Sequence, residues 1–229
     1  MKPILAWHFV RGPLPGFLRD GRSVVVGETL RHDGPLVLCE SGFHASLSLF
    51  DALKYAPGAV ACRVRIGGEV LRDANKLVAS EWTALWVVDA EETLHAFARR
   101  CALDVIRLWD PPEVVVRYLR TGDDSIRAAA RNAARAAAWA AAEDAAGYAA
   151  MDAARNAAGA VAWDAAWDGA WAAAWAAAGA ATTAATWAAT DGGAAAMAAA
   201  RAAARARQAR RLTRMLHAEH RRVVTRGAP

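Results

Sequence analysis

Cysteine is scarce. Cys39, Cys62 and Cys101 are the three in 229 residues, far apart and with no CxxC pair. That pattern argues against a disulfide scaffold and against a zinc ribbon. Long apolar runs are missing too. The second half is apolar by count, but Asp, Arg, Thr and Gly interrupt it. Alanine is also a weak hydrophobe, so no membrane span is expected. The opening MKPILAWHFVRGPLPG is too short and too broken by proline to read as a signal peptide. The expected location is the cytoplasm. The second half has so few prolines and so many helix formers that disorder is not expected there.

What is present divides unevenly. The net charge is +5. Residues 1–125 hold 15 basic and 16 acidic side chains, residues 126–229 hold 13 and 7, and nine arginines stand between Arg201 and Arg226 against one acid, Glu219. Such a stretch can hold nucleic acid or another polyanion. It can equally be a solubilising helix end.

Residues 1–120 have ordinary globular composition. The alternation and β-branched content predict strands at Ile4–Val10, Ser23–Val26, Leu36–Cys39, Val60–Ile66, Glu69–Leu71 and Trp82–Val88. A turn is expected at Gly67-Gly68. Ser48–Tyr55 reads as a short helix with Ser48 as its cap, stopped by Pro57-Gly58. Residues 91–108 read as the next helix, ended by Pro111-Pro112, and Val114–Leu119 fits either a strand or a helix.

From Ala128 to Ala209 most residues are alanine, so helix is expected. Lone Ala helices bury little area, and tryptophans supply the bulk. Trp163, Trp167, Trp171 and Trp175 recur every four residues, a stripe that winds round one helix. It would serve as core, or as a surface for a protein partner or self-association. Glycines at 147, 159, 169 and 179 leave two packings open, stacked short helices or a few long ones. A break is expected at Thr190-Asp191-Gly192-Gly193, followed by a helix from Ala194 to about His220. The fold class expected is therefore α+β: a small mixed, β-rich domain over 1–122, an all-α alanine-rich region over 123–220, as a bundle or stacked short helices, and a flexible tail over 221–229.

Chemistry gathers in CESGFHASLSLFDALKYAPG, residues 39–58. His44 follows Gly42-Phe43, and His8 lies in the first expected strand. Two histidines on two strands could face one cleft and hold a ribose hydroxyl or a phosphate. Each could equally be a satisfied, partly buried ring. Ser46 and Ser48 precede a helix start whose amides suit phosphate, and their plainer role is capping. Cys39 is a candidate thiol nucleophile that needs a partner from elsewhere in the fold. A metal held by Cys39, His44 and a further ligand is a weaker reading, because no spacing enforces it. Glu81, in NKLVASEWTALW, is expected at the start of a strand, where it could stabilise positive charge developing on a sugar. An exposed edge charge is the alternative. Arg201, Arg205, Arg207, Arg210, Arg211 and Arg214 are the candidate phosphate contacts on the last helix.

Two resemblances follow from these motifs. WHF, LCESGFHAS, DALKYAPG and NKLVASE together resemble an uncharacterised domain of phage and bacterial proteins that precedes tails rich in alanine, arginine and tryptophan. It covers about residues 5–90 and carries no assigned function. More weakly, the order resembles the ADP-ribosyltransferases. That resemblance implies NAD as cofactor, with His8, Gly42, His44, Ser46 and Tyr55 (the last in an A-x-x-Y-A helix) binding it, and with His44 and Glu81 as catalytic groups. The chain departs from the pattern where Phe9 and Val10 follow His8. The functional expectation is thus an NAD-dependent transferase of ADP-ribosyltransferase type, acting on nucleic acid. The alternative is a non-catalytic binding or adaptor protein whose Ala–Trp arm engages protein or DNA.

Overall fold

The computed structural model describes residues 3–143 and 193–227 throughout. Between these it describes 150, 153, 155, 157, 178, 179, 181–183, 186, 187 and 189. The fold is α+β, a mixed β/α N-terminal region followed by helices. The elements are β1 (Ile4–Val10), β2 (Thr29–Arg31), β3 (Phe43–Ala45), α1 (Leu49–Leu53), β4 (Val60–Arg72), β5 (Leu77–Asp89), α2 (Glu91–Asp104), α3 (Glu113–Thr121), α4 (Arg127–Glu143) and α5 (Gly193–Gly227). The tryptophan stripe at 163–175, Gly147, Gly159, Gly169 and Thr190–Gly192 lie outside the described residues.

The five strands make one antiparallel sheet in the order β1-β4-β5-β2, with β3 also on β5. β5 is the organising strand. β4 takes one edge of it, while β3 (Phe43 opposite Ala79) and β2 (Leu30 opposite Trp82) share the other. The sheet then curls back on itself. Trp7 and Ser46 exchange backbone hydrogen bonds of 2.8 and 2.9 Å, so β1 meets the end of β3 and the sheet becomes a partly closed barrel. Alternation decides what is inside. Ala6 and Val10 of β1, Cys62, Val64 and Ile66 of β4 and Trp82 of β5 form the core, with Leu18 and Val24 from the first loop.

Several expected boundaries shift. The Gly67-Gly68 turn is instead a register shift inside a single 13-residue β4. Gly68 takes φ +66°, and Ser80 Oγ accepts the Glu69 N–H at 2.9 Å, so the irregularity is pinned from the facing strand. Ser23–Val26 makes only isolated bridges, at Ser23 and Val26, and Leu36–Cys39 is a turn closed by a Val37–Ser41 bridge. Of their apolar residues only Val24 is buried, while Val25, Val26 and Val37 are exposed, so neither segment has the buried face that would hold it in a ladder. Ser48 stands at the start of α1 but makes no side-chain cap bond. Val114–Leu119 is helical, within α3. Gly193, at φ +73°, opens α5, which runs on to Gly227 without the expected stop near His220.

The chain separates into two compact units. One is Met1–Thr93 with Leu212–Pro229, and the other is Leu94–Arg211. The first is therefore built from both ends of the chain, and the expected boundary at 122/123 falls inside the second. In the first unit the last turns of α5 lie on the outer face of the sheet. The Trp86 ring stacks on His220 at 4.3 Å and 9°, and His217 meets Trp7 and Trp86 edge-on at 5.5 and 5.6 Å. The Arg63 guanidinium covers Trp7 at 4.6 Å. In the second unit Arg211 grips Asp104 through both guanidinium nitrogens, at 2.7 and 2.8 Å.

Candidate functional site

Cys39 is the pivot of the quoted loop. It takes φ +70°, the one non-glycine residue at positive φ among the described residues. Its N–H donates to His44 Nε2 at 2.8 Å. His44 reaches it from β3, whose neighbours Phe43 and Ala45 are sunk in the core. Burial lowers the His44 pKa, with Lys76 and Arg19 acting in the same sense and a hydrogen bond to the Gly42 backbone opposing them. Gly42 has φ +101°, and a Cβ there would sit 2.6 Å from Val78 and 2.7 Å from Leu36. Close packing therefore requires glycine at 42.

A cation arrives from the β4–β5 hairpin. Lys76 Nζ contacts Cys39 Sγ at 2.5 Å. The same ammonium lies 3.8 Å from Asp73 Oδ2 and 5.6 Å from the centre of the Tyr55 ring. The Cys39 hydrogen bond raises the Lys76 pKa. Tyr55 is exposed, and its hydroxyl donates to Asn75 Oδ1 at 2.8 Å. Three segments distant in sequence thus meet at the Lys76 ammonium, which lies beside one exposed thiol. Cys39 stands out in the sequence and Lys76 does not, because the long hairpin that carries Lys76 to Cys39 runs through the Gly67-Gly68 irregularity, where a turn is expected.

The other expected site residues lie where the fold uses them. His8 shares the inner parity of β1 with Ala6 and Val10 and meets the Trp82 ring edge-on at 6.0 Å. Burial is the main reason its pKa falls to about 4, the nearby His44 adds to the fall, and a hydrogen bond to the His44 backbone opposes it. The fold therefore does bring His8 beside His44, but through backbone. Ser46 is buried and bonded to Trp7 through its main chain. Glu81 is not at a strand start. It lies within β5 and pairs with Arg31 at 2.7 Å across the β2 ladder. Among the described residues no three His, Cys, Asp or Glu side chains gather as metal ligands.

On α5, Arg211 is committed to Asp104 and leaves the candidate phosphate set. Arg205 is exposed and has an interaction of its own. Arg201, Arg207, Arg210, Arg214 and Arg221 are exposed, while Ala204, Gln208, Leu212 and Leu216 form the buried stripe. The spacings from Arg207 to Arg210, Arg214 and Arg221 place those four on one helical face, away from that stripe. Arg201, six residues before Arg207, falls on another face. Among the described residues no helix is long and apolar enough to cross a membrane.

No curated protein and no solved structure matches the chain. Residues 19–96, less than half of the 229, match the model of a family described as a domain of unknown function (DUF7666). The matched stretch of this chain runs through β2 to β5 and so includes Cys39, His44, Lys76 and Glu81.

Proposed function

We propose that this chain is a non-catalytic binding protein that grips a polyanion, nucleic acid foremost, along α5. The observation that carries the reading is the single exposed face of Arg207, Arg210, Arg214 and Arg221, a row about 21 Å long at 1.5 Å per residue. Guanidinium groups in such a row suit successive phosphates and read no base sequence. Anisotropy titration of a labelled duplex at rising salt tests it. Four phosphate contacts predict a log–log slope of about −3 to −4. Changing all four arginines to Gln should flatten the slope and weaken binding at least tenfold. Binding indifferent to salt, or unchanged in the variant, removes the proposal.

The transferase reading draws support from the adjacency of His8 and His44. It is the weaker reading because the His44 acceptor nitrogen is already taken by Cys39 and Glu81 is held by Arg31.

A further inference from the structure

We propose that Cys39 and Lys76 are a redox pair, joined by a covalent sulfur–nitrogen bond when a peroxide oxidises the thiol. The inference goes beyond the polyanion reading and does not rest on it.

Of the three cysteines only Cys39 is exposed. Cys62 and Cys101 are buried, and burial pushes both thiols up to about 12, so neither offers a thiolate at neutral pH. A sulfenic acid at Cys39 accordingly has no exposed thiol within the chain to condense with. It has an amine instead. Lys76 Nζ lies against Cys39 Sγ. His44 accepts the Cys39 backbone N–H, and Asp73 and the Tyr55 ring lie 3.8 and 5.6 Å from the Lys76 ammonium. The fold thus sets the amine beside the thiol before any oxidant arrives.

The chemistry balances with one equivalent of peroxide. The Cys39 sulfur attacks a peroxide oxygen and the O–O bond breaks. Sulfur is oxidised by two electrons to the sulfenic acid, and the other oxygen leaves as water. Lys76 loses its ammonium proton to solvent, and its nitrogen pair then attacks sulfur. The S–O bond breaks, and the hydroxyl leaves as a second water with a proton from nitrogen. The product is a sulfenamide linking the loop at 39 to the hairpin at 76. A thiol reductant reopens it.

The test uses the full chain. Treatment with equimolar hydrogen peroxide, alkylation without reductant and tryptic digestion should give one joined peptide containing Cys39 and an uncleaved Lys76. Its mass should be about 2 units below the sum of its parts. The link should disappear with dithiothreitol. Cys39→Ser and Lys76→Arg should both abolish it. Lys76→Arg keeps the cation, so its Cys39 should instead accumulate as a sulfenic acid trapped by dimedone. Wild-type protein that yields sulfenic or sulfinic acid at Cys39 beside an unmodified, cleaved Lys76 overturns the proposal, as does a cross-link that persists in Lys76→Arg.

Discussion

At the scale of single residues, His44 is a positioning group for the Cys39 loop. The ring accepts the N–H of a residue held at positive φ, a conformation that costs a non-glycine residue about 1–2 kcal/mol. Removing the acceptor leaves that cost without its compensation. His44→Ala is expected to lower stability by about 1–2 kcal/mol, read as a shifted denaturant midpoint with unchanged slope. Calorimetric titration of NAD into wild type and variant makes the same substitution decide function. Heat that saturates in the wild type and vanishes in a folded variant would restore the nucleotide-site reading. The same absence of heat in both fits a ring that serves the loop.

At the scale of elements, the end of α5 is held to the sheet by neutral rings. His217 and His220 both have lowered pKa values, by burial first and then by cations: Arg63, Arg221 and His220 for His217, and Arg221 for His220. His8 falls further, to about 4. The folded chain thus binds fewer protons than the unfolded one below the ordinary histidine value of 6.5. These groups contribute stability fully above that value and lose it as the pH falls toward the folded pKa values. The melting temperature should be flat above pH 7 and drop between pH 6.5 and 4. In a His217→Phe/His220→Phe double variant, which keeps the ring contacts without the charge, the drop should be shallower. An equal drop in both proteins would put the effect elsewhere.

The same scale shows what the sequence makes legible. The first half of β4 alternates cleanly and forms where the pattern puts it, and β1 forms at its expected bounds although residues on both of its faces are buried. α5 starts at Gly193, one residue before the expected Ala194. β2 and β3, three residues each, carry too little pattern to be bounded from the sequence, and both pair with an edge of β5. The site divides likewise. Gly42, His44 and Cys39 stand out as neighbours in sequence. Lys76 comes to Cys39, and His217 and His220 to Trp86, through tertiary contacts that no local spacing encodes.

At the scale of the whole molecule, the first compact unit takes its residues from both ends of the chain. A chain ending at Arg211 would lose Leu212 and Leu216, both fully buried, and the rings over Trp7 and Trp86. Each buried leucine contributes about 1.5–3 kcal/mol. The shortened chain is expected to melt at a lower temperature, bind a hydrophobic dye and show red-shifted tryptophan emission. A melting curve that overlays the full-length one would mean that residues 212–229 only decorate the unit.

That interleaving also sets a timetable for synthesis. The strands through β5 leave the ribosome early, yet the segment that covers Trp86 follows only after residues 94–211 have been made. At about 5–20 residues per second the delay is on the order of 6–24 s. During that interval the nascent barrel presents an uncovered tryptophan face to the cell, which makes it a client for any chaperone that waits at the exit tunnel.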